Sequence, residues 1–239
     1  MDSALPADRR LPANLPSPYL DENASIPIRN APPLRHTGME PFDLGPMARH
    51  VSDLVIGVGD AQHGAATPCP AYQVADLLEH IGTMAQAFTA SARKQPGPLT
   101  EQQPAGDASR LPADWRTRIP GDLDTLAQAW SEPGAWDGMT RIAAMDAPAV
   151  MVGVTVADEL VVHGWDLACA TGQPFQPDPA AVRAARSFLD QFASPDAPAG
   201  DEVPFGPSRP APDDAPALDQ VLALAGRDPA WVRPAAKFR

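Results

Sequence analysis

Five histidines are spread along the 239 residues: His36, His50, His63, His80 and His163. Two of them lie inside apolar stretches. His80 closes Asp76-Leu77-Leu78-Glu79-His80, and His163 sits in Glu159-Leu160-Val161-Val162-His163-Gly164-Trp165-Asp166. Glu159 and His163 are spaced i, i+4, so on a helix they stand one turn apart on the same face. A carboxylate and an imidazole placed this way can bind one metal ion together. A third ligand has to come from another helix, and His80, in a comparable apolar setting, is the candidate. Two histidines and one carboxylate leave a coordination position open for water or substrate, which separates a catalytic site from a closed structural one. The same spacing also describes a surface pair, or a buried histidine satisfied by a hydrogen bond. The apolar neighbours favour the metal, because a buried carboxylate needs a partner.

Other residues are candidates by proximity. Asp166 follows His163 by three positions and could orient it or act as a general base, since a ligating histidine usually gives its second N–H to a carboxylate or carbonyl. Asp76 lies one turn before His80 and has a similar case, against the alternative of a favourable charge at a helix N-terminus. His50 and Trp165 are candidates for the substrate side of the site. His36 reaches it only if its segment folds over the mouth. Cys69 lies between prolines ahead of a helix and reads as a small buried residue rather than a nucleophile. Cys169 reads as core, and Trp130, like Trp165, as core or pocket wall.

The elements that must hold these residues are outlined by 30 prolines, a frequency of roughly one in eight against a usual one in twenty. Residues 1–40 carry seven prolines and no sustained period, so they read as an arm or a leader. Apolar residues at intervals of three and four predict a first helix over 42–58 and a second over 73–93. A long polar connection over 95–120 leads to a short third helix over 122–130. The fourth helix, between Pro148 and Gly172, is valine-rich but proline-free and too long for a strand. Asp178 as N-cap and Pro179 in the first turn open a fifth helix ending near Phe192. A sixth runs from about Ala217 to Ala225 and is stopped by Gly226. The expectation is an all-α protein with helices one to four in an up-down-up-down core, further helices packed around it, and a hairpin at 133–147 as an alternative. Residues 41–232 would form the helical domain and 233–239 a tail.

Composition narrows the function classes. Thirty acidic and 18 basic residues give a net charge of −12, which argues against nucleic-acid or anionic-membrane partners. No apolar run approaches the ~20 residues needed to span a bilayer, and no signal-peptide pattern opens the chain. Two cysteines cannot build a disulfide framework, so a cytoplasmic location is expected.

Three stretches resemble a known family. Thr67-Pro68-Cys69-Pro70-Ala71-Tyr72-Gln73-Val74-Ala75-Asp76-Leu77-Leu78-Glu79-His80 resembles its signature TPCPxWxVxDLxxH, with Tyr72 at the usual tryptophan. Asp158-Glu159-Leu160-Val161-Val162-His163-Gly164-Trp165-Asp166-Leu167-Ala168 looks like DExxxHGWDLA. Leu222-Ala223-Leu224-Ala225-Gly226-Arg227-Asp228-Pro229 is similar to the closing LGRDP. Together they resemble the actinobacterial metal-binding branch of the DinB-like superfamily, related to mycothiol-dependent maleylpyruvate isomerase. The resemblance covers about residues 40–232. It implies a DinB-like four-helix bundle with one divalent metal, usually zinc, on His80, Glu159 and His163, with nickel or iron as alternatives. It also implies a low-molecular-weight thiol such as mycothiol as cosubstrate, a small electrophile as substrate, and a homodimer. Three functions are consistent with it: a thiol-dependent transferase or isomerase, a metal-activated-water hydrolase or Fe(II) enzyme, and a non-catalytic metal- or small-molecule-binding bundle.

Overall fold

The computed structural model describes residues 40–196 and 207–234. The expected arm up to Met39, with His36, and the tail from 235 onward lie outside the described residues. The described residues belong to the unit Gly38–Arg239.

Among the described residues, six α-helices and one two-stranded hairpin follow in order: α1 Gly45–Ile56, α2 Val74–Ala92, α3 Trp115–Ser131, β1 Met139–Ile142, β2 Met145–Pro148, α4 Ala149–Thr171, α5 Pro179–Phe192 and α6 Ala217–Leu224. Local chemistry sets most boundaries. Asp178 Oδ1 accepts from Ala180 N at 2.9 Å and Ala181 N at 3.1 Å, which caps α5. Gly172 ends α4 with φ +73°, a conformation that costs a residue with a Cβ far more. No helix among the described residues is long and apolar enough to cross a membrane.

Helix α4 is the axis of the molecule. Nearly all of its residues are buried, so its sequence shows no clear apolar stripe. It packs on α1, α2 and α5, and α6 packs on α5. Helix α3 packs on α1 and α2 instead. The four-helix ring therefore runs α1-α3-α2-α4, which corrects the expected arrangement in chain order. Helices α1 and α2 face each other across the bundle, as do α3 and α4. The connections 57–73 and 132–148 carry the chain across these diagonals, while 93–114 joins the neighbours α2 and α3.

Two further expectations change. Helix α3 begins at Trp115, seven residues before the expected start, and carries Pro120 inside it. Proline there removes one helical hydrogen bond. Burial of Trp115 and Ile119 on the turn before it outweighs that loss. The hairpin, kept only as an alternative, is present at 139–148, antiparallel with Met139 opposite Pro148. Thr140 Oγ1 donates to Ser91 O at 2.6 Å and Ser91 Oγ to Arg141 O at 2.8 Å, so the hairpin is fastened to the end of α2.

Candidate metal centre

Helices α2 and α4 pack together at the level of His80 and Glu159. The Nε2 atoms of His80 and His163 each lie 3.3 Å from the same carboxylate oxygen, Glu159 Oε2. One ligand atom from each of the three residues lies within 4.8 Å of the others. The imidazole rings meet edge to face with centroids 4.7 Å apart. Helical pitch accounts for the Glu159–His163 pair, and the α2–α4 contact brings in His80. Glu159 is the most open of the three, with 17% of its side chain exposed.

Behind His163 the site is fixed by charge. His163 Nδ1 and Asp166 Oδ2 are 3.0 Å apart, and Asp166 is fully buried at 0% exposure. Arg227 Nη2 donates to the same oxygen at 3.1 Å. Burial by itself would push the Asp166 carboxyl up; the Arg227 charge and the His163 hydrogen bond outweigh it and hold the carboxyl below its ordinary value. Burial pushes His163 down, against the Asp166 hydrogen bond, so the ring favours its neutral form. A neutral ring has one N–H, and the ionised carboxylate of Asp166 can only accept. The proton therefore sits on Nδ1, and Nε2 turns a lone pair toward Glu159.

Glu159 is ionised as well. Burial would raise it, but the His80 hydrogen bond, then the two imidazoles beside it and the Arg227 guanidinium, outweigh burial and hold the carboxyl down at about 2. A lone pair on His163 Nε2 thus faces a carboxylate oxygen at 3.3 Å, two acceptors with nothing to share. A cation between them resolves the conflict. His163 and Glu159 are also in the protonation states that metal binding needs, a neutral imidazole with a bare Nε2 and an ionised carboxylate; an ion would take the place of the His80 Nε2 proton that Glu159 accepts. The residues present fit a divalent ion.

The other expected residues fall in different places. Asp166 lies where the spacing put it, against His163. Asp76 accepts from Gln73 N at 3.0 Å and from Ala108 N at 2.8 Å, so its two oxygens serve the start of α2 and the loop beside it. His50 is half-buried; its Nε2 accepts from Gln176 N at 3.2 Å and its ring lies 5.2 Å from Phe175. Trp165 is buried on α4 but stands roughly 200° around the helix from His163, on another face. Cys69 is buried, and burial pushes its thiol up, away from a thiolate. Cys169 is pushed up to about 11 by burial and the Asp166 charge. Trp130 is core, its ring 5.0 Å from Trp136.

Arg227, Tyr72 and Asp158 had no assigned role in the sequence, and the structure sets each of them near the centre. Arg227 is buried and reaches Asp166 across 61 positions of chain. Only the closing motif signalled it. Gly226, with φ +78°, turns the chain so that Arg227 points inward. Tyr72 lays its ring against both histidines, 5.2 Å from His80 and 6.1 Å from His163. Asp158 is 1% exposed, and neither of its oxygens has a hydrogen-bond partner among the described residues. Burial, then the Glu159 charge, raises it well above the usual carboxylate range.

Comparison with known proteins places this architecture. Two curated Mycobacterium tuberculosis proteins, one from each of two strains and both described as uncharacterised, are 28% identical over 183 residues, covering 73% of this chain and 90% of theirs. Crystal structures of mycothiol-dependent maleylpyruvate isomerase match with TM-scores of 0.52, for a histidine-to-alanine mutant, and 0.50. They are 16% identical and cover 65% of this chain and 72% of that one, a likeness of fold. Residues 44–168, just over half of the chain, match the family described as Mycothiol maleylpyruvate isomerase N-terminal domain. The match takes in His80, Glu159, His163 and Asp166 and stops before Arg227. This chain belongs to that mycothiol maleylpyruvate isomerase N-terminal domain family.

Proposed function

We propose that this protein is a metal-dependent enzyme that uses a low-molecular-weight thiol, of the mycothiol kind, to transfer sulfur to a small electrophile or to isomerise it. His80, Glu159 and His163 would hold one divalent ion, zinc by preference, because imidazole nitrogens and a carboxylate in a buried site suit it. The observation that carries the reading is the convergence of His80, Glu159 and His163, one ligand atom of each within 4.8 Å of the others, where α2 meets α4. Membership of a family named for a mycothiol enzyme supports the thiol.

When bound, a divalent ion supplies Lewis acidity that favours the thiolate of a coordinated thiol, the nucleophilic form. The chain's own residues do the rest. Asp166 keeps the His163 proton on Nδ1 and the ring in register, and Arg227 keeps Asp166 ionised. Tyr72 packs its ring against both imidazoles. The thiol sulfur bonds to an electrophilic carbon. In transfer that bond stays, with a proton delivered to the product. In isomerisation it breaks again and the thiol is returned.

The test is elemental analysis of protein purified without added metal, for wild type and His163→Ala. About one zinc per chain, absent from the variant, is the expected result and opens a screen of thiols against electrophiles. Iron in place of zinc would redirect the reading to oxygen chemistry. No metal in either protein, and none taken up on titration, would sink it.

A further inference from the structure

Beside the metal centre, the polar loop 105–110 is fastened to α2 far more firmly than a connection between helices needs. Tyr72 Oη accepts from Gly106 N at 3.1 Å. Buried Glu79 accepts from Asp107 N at 3.0 Å and from Arg110 Nε at 3.1 Å and Nη2 at 3.2 Å. Asp76 takes Ala108 N. Glu79 immediately precedes His80, so this clamp and the metal centre share one turn of helix. Gly106 lies so close that a Cβ there would stand 2.5 Å from Asp76 O and 3.0 Å from Tyr72 Cε1. The loop therefore presses on the edge of the Tyr72 ring, and that ring covers His80 and His163.

We propose that Tyr72 is the wall that selects, by size, which thiol reaches the His80–Glu159–His163 centre, and that Glu79, Arg110 and Gly106 are positioning residues that hold this wall in place. The inference rests on the metal and thiol reading above and adds to it the determinant of substrate size. A burial of Glu79 for stability alone explains the ion pair with Arg110. It does not explain why the loop is seated by its glycine on the ring that covers both imidazoles.

The experiment uses the full chain loaded with Co2+, as wild type, Tyr72→Ala, Gly106→Ala and Arg110→Ala. Elemental analysis of each sample verifies one Co2+ per chain. Each is titrated with 2-mercaptoethanol and with the bulkier glutathione, and sulfur-to-cobalt charge-transfer absorption reports binding. In Tyr72→Ala the dissociation constant for glutathione is expected to fall about tenfold relative to that for 2-mercaptoethanol, the scale on which one pocket contact discriminates. Gly106→Ala and Arg110→Ala are expected to move the same ratio in the same direction by a smaller factor. The Arg110 side chain is 53% exposed, and without it Glu79 still accepts from Asp107 N and Thr83 Oγ1, so this variant keeps the test valid if Gly106→Ala fails to fold. A ratio within about twofold of wild type in every variant, with Co2+ bound, overturns the proposal, because a purely structural clamp changes melting and not size selection. A change in Tyr72→Ala alone overturns the role of the loop. Wild type that takes up no Co2+ overturns the metal reading itself, and a Co2+ protein that shows no charge-transfer band with either thiol overturns the thiol reading.

Discussion

Asp166 decides the chemistry of His163, since the proton it accepts is the one that must leave Nε2 bare. Asp166→Asn keeps the shape but offers an amide N–H, which turns the imidazole to the wrong tautomer. Zinc affinity is expected to fall about 10–100-fold, the usual cost of losing such a partner, as measured by competition with a chromophoric chelator. Arg227→Ala leaves a buried carboxylate short of its cation and is expected to cost about 3–5 kcal/mol of stability in urea unfolding. Thiol chemistry gives a pH test at this scale. Cys169 is held up at about 11 by burial and the Asp166 charge. Its thiolate is therefore scarce at pH 8, and iodoacetamide alkylation of the native protein is expected to run about 100-fold slower than that of free cysteine. The rate should climb about tenfold per pH unit until the thiol is ionised near its own pKa. Of the centre, Glu159, His163 and Asp166 were legible because three residues within two turns of one helix obey its pitch. His80 was legible only as the other histidine in an apolar helix, and Arg227 carried no periodic relation to α4 at all.

At the scale of elements, the hairpin shows where local preference yields. Its turn places Ala143 at φ +49° and Ala144 at φ +61°, a left-handed pair for which Asn and Gly are the usual residues. Alanine accepts this because Ala144 N donates to Thr100 O at 2.8 Å, and Arg141 ties the strands to Glu101 and Asp146. The double substitution Ala143→Asn with Ala144→Gly is expected to stabilise the protein by about 1 kcal/mol, seen as a melting temperature higher by about 2–4 °C. The start of α3 was not legible for a related reason. Pro120 signals a boundary in sequence, whereas Trp115 and Ile119 are held helical by the core they enter. Helices α2 and α5 were read nearly to the residue, because their ends are set by Gln73 and Asp178 and by the prolines nearby, all local chemistry.

For the molecule as a whole, the centre joins α2 to α4 and, through Asp166 and Arg227, to the chain beyond α6. A ligand that binds only the folded state stabilises it by mass action, by about 2.7 kcal/mol at a hundred times its dissociation constant. Saturating zinc is therefore expected to raise the melting temperature of metal-free protein by about 5–10 °C, and EDTA to reverse the rise. In His163→Ala zinc is expected to leave the melting temperature where it was, as differential scanning calorimetry would show. The ring order α1-α3-α2-α4 is the other property of this scale. Apolar stripes state that each helix has a buried face, not which helix covers it. Connection length does not state it either: 57–73 and 132–148 cross the bundle, yet the longer 93–114 joins the neighbours α2 and α3.

What the sequence by itself determined is what the chain can settle within a few turns: six helices, most of their ends, the side-by-side placement of Glu159 and His163, and the family motifs around them. A helix has one pitch, so spacing along it is already geometry. The tertiary structure alone decided that His80 meets Glu159, that Arg227 reaches Asp166, and that Tyr72 and its loop lie over the imidazoles. It also decided the charges. Which nitrogen of His163 keeps a proton, and that Glu159 is held down while burial raises Asp158, depend on packing and on partners far away in sequence. Spacing carries no information about dielectric, and the dielectric here is made by packing.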